Sequence, residues 1–363
     1  MVQKQSDTHI VIIGQGLAGT CLSYQFYAKN SDFIVIDNSH YRSSSTIAAG
    51  LINPVVFKRL TKSWKADDLM PYLELFYEKI EKLLGVSFYE KKTLLRVLNS
   101  VEEINTWDGK RKGEFANYLS QIISSSAVQI PLKQEVNLGK VKAASIDLPI
   151  FLNSWKTYLK LSKRLIEEKI NYDQIGYDKN GIEIQLKGHK IKANKIVFCE
   201  GALGADNPLF KWLPFNLSKG DMLTLKNNAY LGNEVLNNGK FFLPKKDGTI
   251  KMGSTYRWDN LSYETTQEGE KELFEKVEET LSGTSTLINH EVGIRPTVKD
   301  RRPMLGRHPT IKNAYIFNGL GTKGAMLAPY YSEQMFNYMI RDEKLNKEVD
   351  IKRFSHLFDT FFD

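Results

Sequence analysis

Two glycine-rich segments, one near each end of the chain, carry the residue types that can hold a large anionic cofactor. The first, GQGLAG (14–19), directly follows a short β-branched run, HIVIIG (9–14), and opens a helical pattern that continues to Ala28. The glycines in such a turn differ in what they permit. Gly14 turns the chain sharply out of the strand, Gly16 lets backbone approach a diphosphate, and Gly19 lets helix and strand pack closely. Gln15, Leu17 and Ala18 stand between them, where exposed N–H groups and the positive end of the helix favour the diphosphate. A second apolar run, FIVID (33–37), ends in Asp37, 18 residues beyond Gly19, and Asn38 follows. A carboxylate at that distance accepts hydrogen bonds from ribose hydroxyls and repels an added phosphate, which selects FAD or NAD over NADP.

The segment SSSTIAAGLINP (43–54) comes next, and its small and hydroxyl residues, with Ser44, Ser45, Ala49, Gly50 and Leu51 among them, let backbone lie flat against a large planar ring. By composition alone it is a small-residue loop. Near the other end, AYIFN (314–318) leads into GLGTKGAMLAPYYSEQM (319–335), three glycines in six residues and then a helix. Leu320, Gly321, Thr322, Lys323, Gly324, Ala325 and Met326 line this second helix start. The two helix starts lie 300 residues apart (19 to 319), with one dinucleotide fingerprint between them. This predicts one long cofactor held at both ends, FAD rather than NAD. Neither Cys21, on the first helix, nor Cys199, in the apolar run IVFC, suits covalent attachment, so both are assigned to core packing and the FAD is non-covalent.

Together, GQGLAG, the acid-ended second strand, SSSTIAAG, GIRPTVKDRRPMLGRHP (293–309) and GLGTKGAMLAP resemble the D-amino-acid-oxidase-like FAD-dependent oxidoreductases. The kin in view are glycine oxidase, sarcosine oxidase and the flavin domain of the enzyme that removes a carboxymethyl group from a modified tRNA wobble uridine. The resemblance implies an α/β architecture in which a Rossmann-type FAD-binding domain (1–85, 141–213 and 298–363) is interleaved with an α+β substrate domain (86–140 and 214–297) on an antiparallel or mixed sheet. It also implies that Ile175 and Gly201, the latter closing the run IVFCEG (196–201), touch the cofactor. Arg295, in GIRP, falls where the family pairs an arginine with the substrate carboxylate, and a planar guanidinium suits that pairing. Lys251, in TIKMGST (249–255), resembles the sarcosine-oxidase lysine that faces the flavin and assists dioxygen reduction; the alternative is a solvated lysine on an edge strand. Two departures make glycine itself doubtful as substrate: Thr322 stands where glycine oxidase has a second substrate-facing arginine, and Phe241 where that branch has a tyrosine.

The implied activity is oxidation of the C–N bond of an amino acid or N-substituted glycine by hydride transfer to flavin, with dioxygen or another acceptor restoring it. Positioning carries that step, so the absence of a nucleophile motif is expected. One rival is the same chemistry on tRNA, for which FKRLTKSWK (57–65) supplies four cations. Another is an amino-acid dehydrogenase passing electrons to a quinone, supported only by the aromatic tail FSHLFDTFFD (354–363). A noncatalytic flavoprotein is a further alternative.

The elements that must position these residues fit such a chain. At 363 residues with 42% hydrophobic and 25% charged residues, roughly two domains with buried cores are expected, and disorder, collagen and coiled coil are excluded. The net charge of +8 permits an anionic partner without requiring one. A polar N-terminus without a signal h-region, no apolar run of membrane length and only two cysteines predict a cytoplasmic protein without stable membrane association. The six histidines are scattered, so no metal site is expected. The patterns predict helices over 66–84, 149–169 and 265–283, strand-like runs over 86–98 and 127–142, a hairpin at DKNG (178–181), and an antiparallel meander over 218–257.

Overall fold

The computed structural model describes residues 4–39, 43–178, 181–230 and 232–362. Two sheets organise them. The parallel part of the first runs Ala314–Asn318, His189–Phe198, Lys4–Ile13, Ile34–Ile36, Leu165–Ile166. Strands covered on both faces read as unbroken apolar runs, and residues 10–13, Val35, Ile36 and residues 196–198 are accordingly buried. Antiparallel strands Met304–Arg307, Ile175–Asp178 and Gly181–Leu186 extend this sheet. The last two are the arms of the expected hairpin, whose turn residues 179–180 lie outside the described residues.

The second sheet has nine strands and is mixed. Ser285–Arg295, Ser218–Asn227, Ile250–Gly253, Lys240–Pro244 and Val235–Asn238 pair antiparallel in that order. Val235–Asn238 then pairs parallel with Tyr89–Leu98, and Asn137–Ile146 and Leu51–Ile52 complete the row. Leu119–Ser124 pairs beside Asn137–Ile146. The α/β class and the two-sheet design are as expected, but two segments change sides. All of Asn137–Ile146 pairs in the second sheet, so the boundary expected at 140/141 falls inside a strand, and Leu51–Ile52 joins that same strand.

The helix expected over 149–169 spans only Leu148–Leu161. Lys163 takes φ +56°, and the chain then extends so that Leu165 and Ile166 pair beside Val35 and Ile36; the sheet edge prevails over helix propensity. The helices Ala66–Leu84 and Gln267–Thr280 form close to expectation. Within the run 127–142, only residues 137–142 belong to a strand, the first part of Asn137–Ile146. The helix Val101–Arg111, capped by Ser100 Oγ, has no strong apolar period to announce it.

The Leu17–Ala28 helix is the hub of the first unit. Ten consecutive residues, 17 to 26, are buried, because Phe26 packs edge-on against Phe336 of the Gly324–Arg341 helix and Ser23 Oγ accepts the indole N–H of Trp155 at 2.8 Å. The aromatic tail forms the helix Ser355–Phe362 and docks on its own unit: Phe358 meets Trp212 at 5.2 Å and His308 at 5.4 Å, and Lys211 lies over Phe361. No described helix is long and apolar enough to cross a membrane. Phe358→Ala is expected to lower stability by about 1–2 kcal/mol, the loss of a half-buried aromatic contact; a thermal melt superimposing on wild type would show that this helix does not contribute to the fold.

Candidate active site

A cavity of about 700 Å³ lies between the carboxyl ends of the parallel strands and the inner face of the second sheet, within the ~300–1,000 Å³ usual for ligand sites. The nucleotide turn forms its first wall. A Cβ on Gly19 would stand 1.8 Å from the carbonyl oxygen of Gly14, and Gly14 itself takes φ +97°. Helix and strand therefore meet backbone to backbone, and the start of the Leu17–Ala28 helix opens onto the cavity with no cap from the side chain of its first residue. The N–H of Gln15 donates to Asp37 Oδ1 at 2.8 Å, which ties the acid at the end of Ile34–Ile36 to the turn. The Gln15 amide points away, donating to Thr20 Oγ1 and to the Leu152 carbonyl.

Residues 44–47 form a helical turn rather than an open loop, and Ser45 Oγ accepts the N–H of Leu17 at 3.1 Å. Gly50 follows with φ +75°, where a Cβ would stand 1.9 Å from the Ile146 carbonyl. Opposite, residues 320–326 bring the start of the Gly324–Arg341 helix to the cavity. Lys323 donates to the Asn53 carbonyl at 3.2 Å and to Ser63 Oγ, and burial pushes its ammonium down to about 8.

The second sheet supplies the remaining wall. Gly220 and Gly293 are directly opposed across neighbouring strands, leaving a bare patch of sheet. Arg295 lies across that patch, its Nη2 1.7 Å from where a Cβ on Gly220 would be. Its guanidinium donates to Ser254 Oγ at 2.7 Å, the Thr255 carbonyl at 3.3 Å and the Lys219 carbonyl at 3.3 Å, while the Tyr256 ring covers one face at 4.5 Å. Burial pulls the guanidinium down from its usual range, and Tyr256 and the buried Asp221 oppose that shift; an arginine stays charged regardless. Asp221 lies on the far face, held by Thr255 Oγ1 at 2.6 Å and His290 Nε2 at 3.0 Å.

The structure thus gathers at one cavity Gly14, Gly16, Leu17, Ala18, Asp37, Asn38, Ser44, Ser45, Ala49, Gly50, Leu51, Gly201, Arg295 and residues 320–326. Gln15 and Gly19 shape the turn from behind. Two assignments are corrected. Ile175 sits buried on the Ile175–Asp178 strand, away from the cavity; the preceding loop, residues 168–172, lines it instead. Lys251 shares the cavity face of the second sheet but stands opposite Thr224, beyond the Met222 and Gly253 pair, and its ammonium is held by Glu291 at 3.2 Å. Residues missed from the sequence include Glu200, Asp206, Met222 and Tyr256. Glu200 had a signal, as an acid at the carboxyl end of a parallel strand, where ligands of such sheets bind. Among the described residues no group of three His, Cys, Asp or Glu side chains is placed to hold a metal ion.

A glycine turn that opens a helix, a strand-end carboxylate tied to that turn and a second helix start surround one long cavity, the arrangement of a dinucleotide-binding redox protein. The chain belongs to the DAO family of FAD dependent oxidoreductases, whose sequence model matches residues 9–336, so FAD is its cofactor. It is 24% identical to the glycine oxidase of Pseudomonas putida over 340 residues, 88% of this chain and 91% of that one. It is 23% identical to the tRNA 5-methylaminomethyl-2-thiouridine biosynthesis bifunctional protein MnmC of Leptospira interrogans, covering 96% of this chain and 59% of that protein. Its fold matches the iminodiacetate oxidase of Chelativorans sp. BNC1 with a TM-score of 0.78 and 20% identity, over 95% of this chain and 98% of that one.

Two variants test this geometry. Gly19→Ala forces a methyl onto the Gly14 carbonyl, so FAD affinity is expected to fall at least tenfold with a loss of about 1–3 kcal/mol of stability; wild-type FAD binding by fluorescence titration would contradict the packing. Lys251→Met is expected to reoxidise with dioxygen at the wild-type rate in stopped flow, and a tenfold slower rate would return the lysine to the flavin.

Proposed function

We propose that the protein oxidises the C–N bond of an amino acid or N-substituted glycine, with Arg295 receiving the substrate carboxylate. The observation that carries this reading is the placement of Arg295: a cation laid over bare Gly220, inside the cavity that the turn at 14–19 also lines. Bound FAD supplies a two-electron acceptor for the hydrogen on the carbon next to nitrogen. The chain's own residues bind and orient. Ser254, the Thr255 carbonyl and the Lys219 carbonyl fix the plane of the guanidinium, so an incoming carboxylate meets a preset cation. Met222 and Phe241 give that wall apolar surface, which excludes water from an amine that must be neutral to react. The matched glycine oxidase and iminodiacetate oxidase, both named for carboxylate-bearing amines, support the same substrate class.

A second reading is favoured by one observation. Tyr256 and Trp258 stack at 6.2 Å beside Arg295, and both are exposed, a surface on which a planar group on the amine, such as the modified base of a tRNA, would rest. The likeness to the bifunctional tRNA-modifying protein supports it.

Anaerobic mixing with glycine, sarcosine, iminodiacetate, proline and D-amino acids is expected to bleach the flavin band with at least one of them. Arg295→Ala should weaken that substrate by about 2–5 kcal/mol, tens- to thousands-fold in apparent affinity. Unchanged affinity would remove Arg295 from the site. Bleaching by none, together with salt-dependent retention on tRNA, would favour the second reading.

A further inference from the structure

Glu200 is a carboxyl group that the proposed chemistry does not use, set into the wall of the cofactor cavity. It follows Cys199 at the carboxyl end of the His189–Phe198 strand, and its Cα lies 3.6 Å from where a Cβ on Gly14 would be, so its backbone abuts the diphosphate turn. Two neutral donors hold it: Tyr172 Oη donates to Oε1 at 2.9 Å and Asn207 Nδ2 to Oε2 at 2.8 Å. Tyr172 lines the same cavity, and Asp206, another lining acid, adds like charge. Tyr177, two strands along the sheet, and the Cys199 thiol feel the same carboxyl, and each is pushed up in part by its charge. Among the described residues no lysine, arginine or histidine hydrogen-bonds or pairs with Glu200. Burial, which outweighs its two hydrogen bonds, pushes its carboxyl up to about 7.

We propose that Glu200 is a proton-coupled contact for FAD, and that the cofactor is held with Glu200 protonated. Two physical effects act in that direction. FAD filling the cavity removes the water beside this wall, and desolvation disfavours the carboxylate. The diphosphate, drawn to the adjoining turn, brings negative charge into the cavity that contains Glu200 and its neighbour Asp206, and like charges oppose ionisation. A protonated Glu200 also gains a donor, which a carboxylate lacks. Binding above neutrality must then take up a proton, and the sign follows: affinity is highest where the free protein already carries that proton and falls as pH rises through its ionisation.

Calorimetric titration of FAD into the full-length protein freed of flavin, at pH 6 and pH 8 and in two buffers of different ionisation heat, tests this. Wild type is expected to bind about tenfold more weakly at pH 8 than at pH 6, with uptake of nearly one proton at pH 8. In Glu200→Gln, which keeps the shape and a donor but cannot ionise, the pH dependence should be about tenfold shallower and the uptake at pH 8 nearly one proton smaller than in wild type. Lys323, whose ammonium burial pushes down to about 8, is common to both proteins, so their difference isolates Glu200. Equal pH slopes in the two proteins would overturn the proposal. So would wild-type binding with no proton uptake at pH 8, a measurement that stands even if the variant folds poorly.

Discussion

A Cβ on Gly19 would stand 1.8 Å from the Gly14 carbonyl, and this backbone contact sets the geometry on which the rest of the site depends. It fixes how closely the Leu17–Ala28 helix lies on the Lys4–Ile13 strand, and so where the helix start points. With the helix that deep, ten consecutive residues are enclosed, and other elements must cover it: Phe336 from the Gly324–Arg341 helix and Trp155 from Leu148–Leu161 do so. The Gly324–Arg341 helix brings its own start to the same cavity. One packing constraint between two glycines thereby places two helix starts, separated by 300 residues of chain, around a single cofactor site.

The second sheet meets the same demand by different means. Its cavity face carries the opposed pair Gly220 and Gly293; the space over Gly220 is taken by the Arg295 guanidinium, and Ser44 and Ile47 stand over Gly293. A charge in such a place needs its hydrogen bonds satisfied. Ser254, Thr255 and Lys219 accept from it on the near face, and on the far face Asp221 stands fully buried between Thr255 and His290. Thr255 joins the two faces, since its hydroxyl binds the aspartate while its carbonyl binds the arginine.

How much of this was legible depended on whether a residue's role was local. The turn at 14–19, Asp37 and the helix start at 320–326 are set by neighbours in sequence, and all could be read from spacing. Lys251 could not: its strand was legible, but the row it occupies depends on pairing with Ser218–Asn227, and that register leaves it with Glu291. Ile175 failed for the same kind of reason, since the helix before it stops at Leu161 and the loop to 172 takes the cavity wall. The edge strand Ser285–Arg295 was hidden because one side faces solvent and its polar residues break the apolar pattern.

The excess of positive charge also changes meaning once partners are placed. Of the six Lys and Arg in 292–312, Arg295 lies inside the cavity, and Arg302 pairs with Glu348 while lying over Trp64. The one acid of that run, Asp300, is engaged by Arg353. In 57–65, Lys62 pairs with Asp67 and Lys65 lies over Trp64. Trp64 in turn stacks on Tyr331 of the Gly324–Arg341 helix and donates to Glu348. The two basic runs, distant in sequence, therefore meet at one indole, which shares Glu348 with Arg302. The contacts at Trp64 fasten the 51–65 segment onto the second helix start, where Lys323 ties the same segment from the other side through Asn53 and Ser63.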